Sequence, residues 1–177
     1  DEYLVEDPWQ GPQTAIAPLA LLYLLTGDER YAARAFHFMD QSADNLNNNT
    51  YDAAHTDHGY LALGFDWLYN HPSMTAAKKA SYIQKMITLS DNIWDDYNDA
   101  GVDGNGQDTD AIIVSGAHHL MFGCAVYNEP GDTQNRAMKM LDRAWMLWER
   151  GQGADPDSGQ EQWTLAQPIR DWIKKAA

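Results

Sequence analysis

Three times along the chain, a helix-length stretch that is apolar on every side is followed by a punctuated turn and then by a stretch with one apolar side. The all-apolar members are Thr14–Leu25, Gly59–Tyr69 and Ala111–Tyr127; the amphipathic members are Asp28–Asn47, Thr75–Tyr97 and Thr133–Arg150. A helix that is apolar all round must be covered on all sides, whereas a single apolar stripe covers something else. Few arrangements meet that demand three times in succession. The pattern predicts an all-α chain of stacked antiparallel helical hairpins, with the apolar helices as an inner layer and the amphipathic helices as an outer one.

The turns make this a repeat. Tyr69-Asn70-His71-Pro72-Ser73-Met74-Thr75 and Tyr127-Asn128-Glu129-Pro130-Gly131-Asp132-Thr133 agree at Tyr, Asn, Pro and Thr, and Tyr23-Leu24-Leu25-Thr26-Gly27-Asp28 fits the same frame through its Tyr and its Gly-Asp. Pro, Gly, Ser, Asp and Thr stop one helix and cap the next. Stripes at helical spacing support the outer layer: Ala80, Ile83, Ile87, Trp94 and Tyr97 in the second amphipathic stretch, and Ala137, Leu141, Ala144 and Trp148 in the third. The return connections, Asn45–Ala53 and Asp99–Gln107, are long and rich in Asn, Asp and Gly. Short turns therefore gather at one end of the stack and long loops at the other, and long loops on a rigid scaffold commonly carry function.

Composition narrows the classes. At 177 residues, with 44% hydrophobic residues and seven Trp, the chain is expected to form a single α/α-hairpin domain over residues 1–177. Pro18 and the Thr26–Gly27 turn interrupt the longest apolar run, so no membrane span is expected. The net charge of −14 argues against nucleic acid and anionic membrane surfaces as partners. Every Lys and Arg lies on an amphipathic stretch or near the C-terminus. Asp52, Asp57, Asp66, Asp99, Asp103, Asp108 and Asp110 lie on the apolar stretches or the loops leading into them, which predicts an electronegative end. The lone cysteine, Cys124, sits within an apolar stretch and reads as a buried, inert thiol. Asp1 shows neither an initiator Met nor a signal-peptide pattern, so the expectation is a processed or excised piece, and the acidic, disulfide-free character fits a secreted or periplasmic protein.

The segments Leu24–Ala35 (LLTGDERYAARA) and Gly59–Asn70 (GYLALGFDWLYN) resemble the α/α-toroid domain of polysaccharide lyases, of the heparinase II/III-like or alginate-lyase-like kind. The most specific element is Phe65-Asp66-Trp67-Leu68-Tyr69 before its Pro/Ser/Thr turn, and Leu141–Gly151 (LDRAWMLWERG) fits the outer helix that follows a glycine-aspartate turn. The resemblance runs from Leu19 to Gly151. It implies an incomplete α/α toroid, because three hairpins form only part of a closed one, so the chain would be a fragment of a larger enzyme or an arc completed by a further domain or subunit. Where those lyases commonly carry an Asn-His pair, this chain reads Ser115-Gly116-Ala117-His118-His119.

The resemblance also implies a chemistry, β-elimination on an acidic polysaccharide. A Tyr or His removes the proton alpha to the uronate carboxyl, and a Tyr or His returns one to the leaving oxygen. His58 and Tyr60, at the start of the second apolar helix, and His118 in the third are the candidate catalytic residues. His55, Asp57, His119, Asp110 and Trp9 are the candidate substrate-binding residues; Trp9 and Trp163 lie outside the periodic helices, where a flat ring suits a sugar platform. Neighbouring helical positions point about 100° apart, so His118 and His119 cannot both face one site: one should line it, and the other should be a satisfied buried histidine. The acidic map favours a glycoside hydrolase acting on a neutral or amino sugar through paired carboxylates such as Asp57 and Asp110, and a non-catalytic α/α scaffold for sugar binding or assembly is an alternative from another class.

No cofactor is expected, with calcium at Asp99, Asp103 and Asp110 as the alternative. The loop Asp99–Asp110 partly imitates a calcium loop, with Asp99, Asp103 and Asp110 at acidic positions and Gly104 at the sharp turn, but Gly101 occupies a ligand position. His55 and His58 with Asp57 lack a further ligand for a transition metal, and no metal centre is expected there.

Overall fold

The computed structural model describes residues 12–42, 59–99 and 109–153, with side chains for 14–41, 59–94 and 115–148. Among these residues there is no strand, and the chain is all-α. A short 3-10 turn, Pro12–Ala15, leads into α1 (Ile16–Thr26), followed by α2 (Glu29–Ser42), α3 (Gly59–Trp67), α4 (Ala76–Asp99), α5 (Thr109–Val126) and α6 (Arg136–Gly153).

The predicted alternation is present. The helices α1, α3 and α5 are apolar without a polar side, whereas α2, α4 and α6 each have one. Each apolar helix packs on the amphipathic helix that follows it, and the apolar helices also pack on one another, α1 on α3 and α3 on α5. The outer helices bridge these pairs: α2 also touches α3, and α4 also touches α5 and α6. One core runs through all three hairpins, from Ile16 and Ala20 through Ala35, Met39, Leu61 and Phe65 to Met86, Phe122, Met140 and Leu147. Removing a side chain such as Phe65 or Leu61 from water is worth roughly 1.5–3 kcal/mol, so this core outweighs any single polar contact.

Small residues set how closely the layers meet. At Gly64 a Cβ would stand 2.4 Å from Ile16 Cγ2, so α3 approaches α1 backbone to side chain. At Gly123 it would stand 2.7 Å from Leu141 Cδ2 and 3.2 Å from the Ala137 carbonyl, which locks α5 against α6.

The turns follow the capping chemistry of their residues. Gly27 ends α1 in the left-handed region at φ 69°, with its N–H donating to the Tyr23 carbonyl at 2.7 Å. Asp28 accepts from the Arg30 N–H at 3.0 Å, and Thr75 Oγ1 accepts from the Lys78 N–H at 3.2 Å. Asn128 takes the left-handed position after α5 at φ 63°. The third outer helix departs from its expected start at Thr133. Residues 133–135 form a 3-10 turn, Gln134 and Asn135 have positive φ, and the α-helix begins at Arg136. Asp132 accounts for the shift, since its Oδ1 accepts from the Ala137 N–H at 3.0 Å and so caps the later start.

The buried stripes also differ in detail. On α4 they comprise Tyr82, Ile83, Met86, Ile87, Leu89 and Ile93, while Ala80 is exposed and Trp94 half-buried. On α6 they comprise Ala137, Met140, Ala144 and Leu147, with Leu141 and Trp148 half-buried at the flank. Cys124 is exposed rather than buried. It shares an exposed side of α5 with Ala117, seven residues earlier, a placement that an all-apolar sequence cannot signal.

Candidate functional site

The inner helices begin at the end of the stack opposite the short turns, and α3 begins beside α5. A Cβ at Gly59 would lie 3.3 Å from His118 Cδ2 and 2.6 Å from Met121 Sδ, so the first turn of α3 lies against the middle of α5. Gly59 and His118 stand the same distance, within one residue, ahead of the matched Tyr69 and Tyr127. The repeat register thus sets them at one level. Tyr60 follows Gly59 in the first turn of α3, and because successive helical side chains point about 100° apart, its ring does not share the direction in which Gly59 meets His118.

His118 is 4% exposed and stacks on Phe122, with ring centroids 6.3 Å apart and 26° between planes. Tyr60 is half-buried and packs against the core. His58, His55, Asp57, Trp9 and Asp103 lie outside the described residues, as do Trp163, Asp52 and Asp108. Asp99 and Asp110 are described in backbone only, as the last residue of α4 and the second of α5. Both stand at the long-loop end. Asp66 does not: it is exposed in the last turn of α3, at the opposite end.

The two neighbouring histidines have different surroundings. His119 is fully buried between α4 and α5, with Nδ1 2.8 Å from the Ser115 carbonyl and Nε2 3.1 Å from the Ser90 carbonyl. A neutral ring carries one N–H and donates to one of these oxygens. Burial pushes its pKa below the usual histidine range, and the nearby Arg143 charge acts in the same direction, while the two carbonyls and Asp91 oppose them. His119 is the satisfied buried member of the pair, with both ring nitrogens against backbone. His118 faces α3.

Beside His119 lies a polar cluster that the sequence reading did not find. Arg143, 4% exposed on α6, donates from Nη1 to Ser90 Oγ at 3.0 Å and to Asp91 Oδ1 at 2.7 Å. Its guanidinium lies 5.2 Å from the Trp94 ring centroid. Arg136 donates to the other Asp91 oxygen. Burial would raise the Asp91 pKa, but hydrogen bonds from Arg143 and Arg136 outweigh it and hold the carboxyl below its usual value. The available signal was Arg143 standing three residues after Met140 and four before Leu147, on the buried side of α6. A cation at such a position needs a carboxylate partner, which Asp91 supplies.

Among the described residues, α1, α3 and α5 carry no Lys or Arg, no group of three or more His, Cys, Asp or Glu is placed to hold a metal ion, and no helix is long and apolar enough to cross a membrane. The described residues set the first turn of α3, which carries Tyr60, against His118 in the middle of α5. Comparison with protein-family models, with curated proteins and with solved structures finds no match.

Proposed function

We propose that the chain is an arc of an α/α toroid and that the loop end of its inner layer acts on a carbohydrate, with β-elimination on an acidic polysaccharide as the reaction. The observation that supports this reading is the approach of α3 to His118 at Gly59, in the turn that carries Tyr60. In the reaction a base among these groups takes the proton alpha to the uronate carboxyl. The electron pair left behind forms a carbon–carbon double bond, the glycosidic C–O bond at the β carbon breaks, and the leaving oxygen takes a proton from the acid. One chain end becomes an unsaturated uronate and the other a free hydroxyl. His55, Asp57, His119, Asp110 and Trp9 remain the binding residues that the sequence proposes, although both ring nitrogens of His119 already meet backbone carbonyls.

The experiment is the ultraviolet absorbance of the unsaturated product on alginate, heparin-like and chondroitin-like chains. Activity that falls by about 10²-fold or more in Tyr60→Phe or His118→Ala, in line with the usual worth of a general acid or base, supports the reading. Silence of the wild-type chain on all three polymers overturns it. A second reading, a non-catalytic scaffold for assembly, is favoured by a separate observation: Leu21, Leu22, Leu24 and Leu25 of α1 and its turn are exposed, an apolar surface more typical of an interface than of a solvated helix.

A further inference from the structure

The repeat register has a contact rule, and among the described residues the rule is unfulfilled at both ends of the row of inner helices. The first position of each short turn is a tyrosine, Tyr23, Tyr69 or Tyr127; the third is Leu25, His71 or Glu129. Within the chain, the tyrosine of one hairpin meets the third position of the next. Tyr23 makes an edge contact with His71, with ring centroids 5.0 Å apart and 71° between planes. Tyr69 Oη donates to Glu129 Oε2 at 3.0 Å. Both of these tyrosines are half-buried and pack against the core. Tyr127 has no following hairpin among the described residues and is 46% exposed; Leu25 has no preceding one and is 73% exposed.

The helices bearing these two residues have matching surfaces. On α1, Pro18, Leu21 and Leu22, continued by Leu25, are exposed at spacings of three and four, which places them on one face. On α5, Ala117 and Cys124, continued by Tyr127, are exposed, with Leu120 half-buried between them; Met121 turns instead to Gly59 of α3. Neither face carries a charged side chain among the described residues. Each is turned away from the neighbours its helix packs on. A repeat stack uses one interface again and again, and an end that lacks a polar capping repeat remains able to accept another unit.

We infer that a second copy of this chain docks head to tail, with the α5 face of one copy on the α1 face of the other and Tyr127 against Leu25. The contact continues the interface by which α1 meets α3 and α3 meets α5, and Leu25 supplies an apolar surface for the Tyr127 ring where His71 and Glu129 supply a ring and a carboxylate. The interface is heterologous: it uses two different patches, one from each copy. This goes beyond the proposed function and stands whether or not the chain is a lyase.

The test is sedimentation or light scattering of the full chain, whose monomer is 19.9 kDa, from micromolar to submillimolar concentration. The wild-type chain is expected to self-associate, and Leu25→Asp and Tyr127→Asp are each expected to weaken association by at least about tenfold, as for a central interface residue. Both positions are exposed, so circular dichroism should show the fold retained in each variant. The decisive sample is an equimolar mixture of the two variants. Each pair of unlike copies can form one contact from an unaltered Leu25 and an unaltered Tyr127, so association should return to the mixture. A wild-type chain that stays monomeric throughout overturns the inference, whatever else meets those faces. So does a dimer lost in one variant only, or lost in both and not regained on mixing.

Discussion

Gly123→Ala and Gly116→Ala, two changes on one face of α5, should move stability in opposite directions. At Gly123 the new methyl would sit 2.7 Å from Leu141 Cδ2, 2.8 Å from Leu141 Cγ and 3.2 Å from the Ala137 carbonyl. Carbon atoms in contact prefer about 3.5–4.0 Å, so the deficit is roughly 1 Å. Turning the Leu141 tip alone does not relieve it, because Cγ lies close to the α6 backbone and the Ala137 oxygen belongs to it. Overpacking of this kind costs about 1–3 kcal/mol, offset by about 0.5–1 kcal/mol for replacing a helical glycine with alanine. The net is a loss of up to about 2.5 kcal/mol, and with a clash this deep, near the upper part of that range, Tm falls by several degrees, up to about 10 °C in a chain of this size. At Gly116 the nearest atoms, the Ala144 carbonyl and Leu147 Cβ, both lie 3.5 Å away, which is ordinary contact. The helix gain then stands alone, and Tm should rise by about 1–4 °C. Thermal and urea unfolding followed by circular dichroism read both variants. If Gly123→Ala melts at or above the wild-type temperature, or if the two variants shift together, α5 and α6 do not approach as closely as argued.

The remaining predictions concern buried polar groups. Asp91→Asn removes the carboxylate that accepts from Arg143 and Arg136; because Asp91 is about one-third exposed, the loss should be about 2–4 kcal/mol, slightly below the usual cost of breaking a buried pair, read as a shifted urea midpoint. The folded-state pKa of Asp91 is depressed, so its stabilising contribution is present above the unfolded carboxylate value of 3.8 and is lost as pH falls through the folded value. A wild-type acid limb no steeper than that of Asp91→Asn would contradict this. His119 is also depressed, from 6.5. As pH drops below about 6.5 the unfolded chain takes up its proton first, so stability should decline from there toward the folded pKa. His119→Gln should flatten that part of the pH–stability curve, and an unchanged curve would remove His119 as its source.

The architecture was legible in the sequence because it rests on local chemistry. Alternating all-apolar and one-sided helices, with Tyr, Asn, Pro, Gly and Thr between them, state the period, the turns and the hairpin pairing before any contact is known. Asp28 and Thr75 cap where their side chains allow. The site was less legible. An all-apolar helix has no preferred side, so nothing in Ser115–Val126 told which of His118 and His119 would be spent on backbone carbonyls, or that Cys124 would be exposed. Those answers come from which neighbours stand where: α4 meets the His119 side of α5, and α3 meets the His118 side.

Arg143 shows the same division. Its position among Met140, Ala144 and Leu147 was visible, but its partner Asp91 lies one helical pair away in sequence, and only packing joins them. The sequence by itself determined that three hairpins form and in what order they follow. The tertiary structure decided which faces are covered, because coverage depends on the neighbour and not on the helix. The faces of α1 and α5 that it leaves uncovered, with Leu25 and Tyr127 at their ends, are visible only once the three hairpins are stacked.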